Sequence, residues 1–274
     1  MVMANEHLVT LDRISVKVIG HGPDVVLVPG LSSSRDIWAA SAARLKDLYR
    51  LHLVQVAGFA GEPTRANAQG DVVAPTAEAI DAYITGNDLA PATMIGHSLG
   101  GTIILYLAEQ RPDHIKRALI VDALPFFGTL MGGPDATPET MKPIAEAIRT
   151  GAHNMSPAEH QRMMATMAVS PQDKQTMEAW GRASDPSVVA RATAEDMTLD
   201  LRPGLAAIRT PITLVYPDYT PLGVPAGVMD KSYRAAYAAA PHINFVGIQR
   251  SLHCVMLDQP EQFQMALDSF LGER

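Results

Sequence analysis

Six short apolar runs recur along this 274-residue chain, and segments of helical length separate most of them. Val25-Val26-Leu27-Val28, Leu51 to Val56, Ala92 to Ile95, Ala118 to Val121, Ile212 to Tyr216 and Ile243 to Ile248 carry little polar alternation. Runs of that kind suit parallel strands covered on both faces. The segments between them, roughly Arg35–Leu48, Pro75–Leu89, Thr102–Arg111 and Met229–Ala240, are long enough for helices. Strand, helix, strand in repetition predicts an α/β fold with a doubly wound, mostly parallel sheet. His7–Val18 alternates in the manner of an antiparallel hairpin on one edge, which brings the sheet to about eight strands.

The rhythm breaks between Pro125 and about Leu201. That stretch has no convincing strand and holds eight of the 14 methionines. Thr137-Pro138, Ser156-Pro157, Ser170-Pro171 and Asp185-Pro186 each set a capping side chain before a proline that suits the first helical turn. The pattern predicts a helical cap of about four helices over residues 126–201. Residues 1–125 and 202–274 then form one discontinuous core. Met163, Met164 and Met167 are expected to build the cap's own core, with some of them roofing an apolar acyl or alcohol group.

Gly96-His97-Ser98-Leu99-Gly100-Gly101 lies between the run at Ala92–Ile95 and the helical segment that Pro112 ends. Gly-x-Ser-x-Gly between a strand and a helix is a nucleophile elbow, a sharp turn that exposes a serine hydroxyl at the top of a sheet. Its glycines sit where a Cβ would clash with neighbouring backbone. A serine needs a base within hydrogen-bond reach, itself oriented by an acid, and in strand-elbow hydrolases these follow in the order serine, acid, histidine. Of the nine histidines, His253 alone fits that order, in the turn after the last apolar run and before the final helix, Glu261–Leu271. Loops at the carboxyl ends of parallel strands are where sites form in such sheets.

From end to end the chain resembles the α/β-hydrolase superfamily. The resemblance rests on Val28-Pro29-Gly30-Leu31, Ala57-Gly58-Phe59-Ala60-Gly61, the Gly96–Gly101 elbow and Leu252-His253-Cys254-Val255-Met256-Leu257-Asp258-Gln259-Pro260. It implies the α/β-hydrolase fold and points to the cap-bearing branch of esterases, lactonases, carbon–carbon bond hydrolases and perhydrolases. The chain departs from the family habit at Pro29-Gly30, where His-Gly is common, and at Gln55, where an aspartate is usual. By resemblance the acid is Asp218, directly after the run Ile212–Tyr216. Asp122 is its rival, because some members place the acid after the earlier strand, and Asp230 reads as a residue of a helix N-terminus.

The implied reaction is serine hydrolysis of a carboxylic ester or related acyl compound through an acyl-enzyme. Ser98 is the nucleophile, His253 the base and Asp218 the acid, and the backbone N–H groups of Leu31 and Leu99 receive the oxyanion. Two other readings stay open: a carbon–carbon bond hydrolase with the same triad, and a non-catalytic small-molecule receptor on this fold. No cofactor and no metal is expected. His153 and His160 lack carboxylate or cysteine partners at ligand spacing, and Cys254, the single cysteine, reads as a small buried hydrophobe. His97 is expected to pack or bond locally.

The expected partner is a small-molecule substrate with an apolar acyl or alcohol group. A net charge of −7 without a long basic run argues against nucleic acid, and no apolar stretch has the length of a membrane span. One cysteine allows no internal disulfide, which favours the cytoplasm.

Overall fold

The structure, a computed structural model, describes residues 6–152 and 155–272; His153 lies outside the described residues. Eight strands form one sheet in the order β1-β2-β4-β3-β5-β6-β7-β8. The hairpin β1 (His7–Thr10) and β2 (Ile14–Gly20) is antiparallel, and β2 lies antiparallel to β4 (Arg50–Val56). From there β3 (Asp24–Val28), β5 (Ala92–His97), β6 (Ile115–Val121), β7 (Ile212–Pro217) and β8 (Ile243–Ile248) are parallel. Each apolar run therefore became a strand. In register, Val28 faces Gly96, His97 faces Val121 and Val121 faces Val215. The carboxyl ends of these strands are thus level, and their loops open side by side on one rim.

Two-residue periodicity divides each strand between two cores. Val26, Val28, Met94, Ile120 and Leu214 point to one face, where they pack with Ile80 and Ile84 of α2 (Val73–Gly86) and with Ile103, Ile104 and Leu107 of α3 (Leu99–Gln110). Val25, Leu27, Ile95, Leu119 and Val215 point to the other. There they meet Ala42 and Leu45 of α1 (Ala39–Leu45) and Phe263, Leu267 and Phe270 of the last helix, Pro260–Gly272. The helical stretch expected over Arg35–Leu48 starts as a 3₁₀ turn, Arg35–Trp38, before α1.

Between β6 and β7 the described residues make five α-helices: α4 (Gly128–Gly132), α5 (Pro138–Arg149), α6 (Pro157–Met167), α7 (Pro171–Ala183) and α8 (Pro186–Thr198). Thr137, Ser156, Ser170 and Asp185 cap the last four, each accepting a backbone N–H from the first turn of its helix. The short α4 has no side-chain cap, so it lacks the signal that announces the others.

The insertion is held in two different ways. Helices α5 and α8 enclose a small core of Phe126, Ala136, Met141, Ala145, Ala194 and Met197. Glu195 on α8 also accepts the N–H groups of Val72, Val73 and Ala74 at 2.7–2.8 Å, satisfying the open N-terminus of α2. Helices α6 and α7 bury no residue fully. The methionines expected in the insertion's core are consequently misassigned: Met141 and Met197 fill it, while Met163 on α6 is exposed. The remaining helices are α9 (Val228–Ala236), α10 (Val255–Asp258) and α11 (Pro260–Gly272).

Candidate active site

At the join of β5 and α3, Ser98 has φ 53° and ψ −124°, a left-handed conformation that an L-residue adopts only under tight constraint. Its neighbours explain the constraint. A Cβ on Gly96 would lie 2.4 Å from the Gly100 carbonyl oxygen, and one on Gly100 would lie 2.3 Å from that of Val28. Only glycine fits at either place, and the turn is fixed by the Ser98 N–H donating to the Val121 carbonyl at 2.8 Å. The Ser98 side chain stays partly exposed and has no hydrogen-bond partner among the described residues.

The loop after β3 runs against this turn. A Cβ on Gly30 would sit 3.0 Å from Ser98 Cβ, so the loop touches the serine. Among the described residues, the N–H groups of Leu31 and Leu99 have no acceptor, and Leu99 opens α3, where N–H groups lack intrahelical partners. Gln55 braces the loop from β4. Its Nε2 donates to the Ser33 and Phe59 carbonyls at 3.0 and 3.3 Å, and its Oε1 accepts the Arg35 N–H at 2.8 Å. A carboxylate at that position has no donor to offer the two carbonyls.

His253 comes from the loop after β8. Its Nδ1 is 2.6 Å from Asp122 Oδ2, its main-chain N–H donates to the Thr166 carbonyl at 3.1 Å, and its carbonyl oxygen accepts from His97 Nε2 at 3.1 Å. The two imidazoles also pack with centroids 4.6 Å apart. His97 immediately precedes Ser98, so these contacts bring the C-terminal loop to the elbow. Of the polar groups on His253, Nε2 alone lacks a partner among the described residues.

His97 is buried, and its pKa is pushed down to about 3 by burial and then by repulsion from His253, with Asp122 opposing. It is therefore neutral. Because a carbonyl only accepts, Nε2 carries the proton and Nδ1 is bare, buried and without a partner among the described residues. His97 packs within the site, and its side-chain bond runs to the distant His253 rather than to its own segment.

The acid expected at Asp218 needs correction. The structure pairs His253 with Asp122, at the end of β6, and not with Asp218. Asp218 turns back on its own loop: it accepts from the Thr220 N–H at 3.1 Å, the Thr220 hydroxyl at 3.0 Å and the Ser251 N–H at 3.3 Å. Asp122 is buried and also accepts from the hydroxyls of Tyr219, at 3.1 Å, and Tyr233. Burial pushes its pKa up, but the charge and hydrogen bond of His253 and the Tyr233 hydroxyl outweigh that, so the carboxyl lies below its ordinary value. Asp230 is a surface partner of Arg234 and the Tyr216 hydroxyl. Residue-level reasoning missed Tyr219, Tyr233 and the bracing role of Gln55. Tyr219 follows Asp218 directly, and Gln55 is a lone amide near the end of an apolar run, so both had a faint signal.

Cys254 is buried with its Sγ 3.6 Å from Met177 Sδ, and burial holds the thiol well above its ordinary pKa. Among the described residues no group of three or more His, Cys, Asp or Glu side chains is placed to hold a metal, and His160 meets only Glu178, at 4.0 Å. No helix among them is long and apolar enough to cross a membrane.

Comparison with known proteins bears on the fold and the family of the chain. The chain is 26% identical to the pimeloyl-[acyl-carrier protein] methyl ester esterase of Aeromonas salmonicida, covering 94% of this chain and 99% of that one. Among solved structures it superposes on the enol-lactonase of Burkholderia xenovorans with a TM-score of 0.76 at 17% identity, covering 95% and 96% of the two chains. An esterase of Thermogutta terrifontis gives a TM-score of 0.73 at 18% identity, covering 97% and 98%. The model of the alpha/beta hydrolase family matches residues 25–264. With its sheet order, its elbow and that match over most of its length, the chain belongs to the alpha/beta hydrolase family.

Proposed function

We propose that the protein is a serine hydrolase that cleaves a carboxylic ester or related acyl compound through an acyl-enzyme. One observation carries the reading: His253 is held by Asp122 at Nδ1 and by Thr166 and His97 through its main chain, its ring packs on His97 of the elbow, and Nε2 has no partner among the described residues. An imidazole so held has one tautomer, with the proton on Nδ1 and a lone pair on Nε2. That lone pair is what a serine hydroxyl needs for activation.

Ser98 Oγ attacks the carbonyl carbon as His253 Nε2 takes its proton. Asp122 keeps the ring's orientation and stabilises the imidazolium. The free N–H groups of Leu31 and Leu99 receive the developing oxyanion, and losing one such donor typically costs roughly 3 kcal/mol of transition-state stabilisation. His253 then protonates the leaving alkoxide as the tetrahedral carbon collapses to the Ser98 ester. Water, deprotonated by the same Nε2, releases the carboxylate and restores the serine. The insertion caps this site, with the Thr166 carbonyl reaching the base and an apolar acyl or alcohol group lying beneath. Relatives named as methyl ester esterases make alkyl esters with small alkoxy groups the first substrates to try.

A panel of methyl and aryl esters, from acetate to octanoate, tests the reading with wild type and Ser98→Ala. Turnover by wild type and a loss of about 10⁴-fold or more in the variant is the expected result. Equal rates from both proteins would end the proposal.

A further inference from the structure

The loop after β8 is tied both to itself, through Ser251 Oγ donating to the Ile248 carbonyl at 2.7 Å and Gln259 Nε2 donating to the Arg250 carbonyl at 3.0 Å, and to the insertion. Two main-chain N–H groups and one carboxylate tie it to the insertion. His253 N–H donates to the Thr166 carbonyl at 3.1 Å and Cys254 N–H to the Met167 carbonyl at 2.8 Å. Asp258 completes the set from the end of α10. One of its oxygens accepts the Val169 N–H at 2.7 Å, and the other accepts the Leu252 N–H at 2.7 Å. A single carboxylate therefore grips both sides of the junction, one residue before the base on one side and the link between α6 and α7 on the other.

The chemistry favours a carboxylate at this place. Two N–H donors arriving from different chain segments require two acceptor oxygens, and an ionised carboxylate supplies both without presenting a competing donor. Helices α6 and α7 bury no residue fully; Met177 and Trp180 of α7 pack in part against the core that holds Cys254 and Val255. The hydrogen-bonded junction adds the direct tie between the α6–α7 link and His253.

Resting on the hydrolase reading above, we propose that Asp258 is a positioning residue that couples the seating of the insertion to the aim of the catalytic base. With the Thr166–Val169 link seated, His253 is held with Nδ1 on Asp122 and Nε2 toward Ser98. With the link displaced, the loop loses the bonds to Thr166 and Met167, and the ring drifts from Asp122. A displacement of about 1 Å at a reacting group is enough to cost on the order of 100-fold in rate.

The test uses Asp258→Asn and, independently, Val169→Pro. The first leaves one acceptor oxygen for two donors. The second removes only the N–H on the insertion side, and the extended Ala168 before it (φ −152°, ψ 160°) tolerates a following proline. Two readouts are taken on folded protein: kcat and KM on an ester that wild type cleaves, and the low-field proton NMR resonance of His253 Nδ1–H bonded to Asp122. The expected result in both variants is a kcat lower by on the order of 10- to 100-fold with KM little changed, and a resonance broadened or moved upfield. A purely structural brace would lower thermal stability while leaving kcat and the resonance of the folded protein as in wild type, and that outcome overturns the proposal. If wild type cleaves no ester, the hydrolase reading fails on its own, and an unchanged resonance in both variants still overturns the clamp.

Discussion

The loops after β6 and β7 present the same opening, an aspartate one residue past an apolar strand, and put it to different uses. Asp122 lies in a buried pocket where His253, Tyr219 and Tyr233 all point at its oxygens. Asp218, one strand further from the elbow, spends its oxygens on Thr220 and Ser251 and pins its loop to the start of the loop that carries His253. Both carboxyls are held below their ordinary pKa, with burial opposing in each case. The causes differ: a neighbouring imidazole dominates at Asp122, and backbone N–H groups with the Thr220 hydroxyl act at Asp218. A depressed pKa therefore does not by itself single out the carboxylate that meets His253. The identity of the donors does.

The widest separation between the two loops is expected in turnover. Asp122→Asn should lower kcat by about 10⁴-fold, since an amide turned toward Nδ1 favours the wrong imidazole tautomer. Asp218→Asn, measured on the same ester, should leave kcat within a few-fold of wild type. Comparable losses in the two variants would erase the distinction. Tyr233→Phe comes next. It removes a hydroxyl donor from a buried carboxylate, and kcat should fall roughly 10-fold, given that a hydrogen bond to a charged group is worth about 1.5–3 kcal/mol.

A third carboxylate sharpens the comparison by showing burial with few donors. Asp196 on α8 is buried, one of its oxygens has no partner among the described residues, and burial pushes its pKa up to about 7 despite the Thr102 hydroxyl, with the Glu195 charge adding to the rise. The folded protein thus holds this proton more tightly than the unfolded chain. Its contribution to stability is greatest below the unfolded value of about 4, declines as pH rises, and is fully lost above about 7. From this group stability should fall across that window by up to about 1.4 kcal/mol per pH unit, while His97, held neutral by its lowered pKa, contributes a rise of opposite sign. The difference between Asp196→Asn and wild type isolates the aspartate: the variant should gain in melting temperature relative to wild type as pH rises and melt higher at pH 8, and a variant profile parallel to wild type would contradict the assignment. Asp122, with its pKa depressed, has the opposite sign. Its contribution is present above about 4 and is lost as pH falls through the depressed folded value. The smallest effect is on stability at Asp218: Asp218→Ala should cost about 1 kcal/mol in denaturant melts, the usual worth of such turn bonds.

How much of this was legible in the sequence follows from what each feature depends on. The strands read out because their apolar runs are local and uninterrupted, and the four capped helices of the insertion because Thr137, Ser156, Ser170 and Asp185 carry their signal in the adjacent residues. The elbow was equally plain, since crowding at Gly96 and Gly100 admits one residue type. The acid was not legible in this way. Whether Asp122 or Asp218 meets His253 depends on how the 218–220 turn folds back and on hydroxyls arriving from Tyr219 and Tyr233, and none of this is local to either aspartate. The support of His253 by Thr166 was invisible for another reason. A backbone carbonyl is the same in every residue, so the sequence carries no mark of it.

The central claim is that Ser98 is the group attacked and acylated. Incubation with a fluorophosphonate, followed by peptide mapping in a mass spectrometer, reads this directly. The account predicts one added phosphonyl group on the peptide containing Ser98, absent from Ser98→Ala and greatly slowed in Asp122→Asn. Equal labelling of Ser98→Ala, or a label that maps to another residue of the wild type, would contradict it.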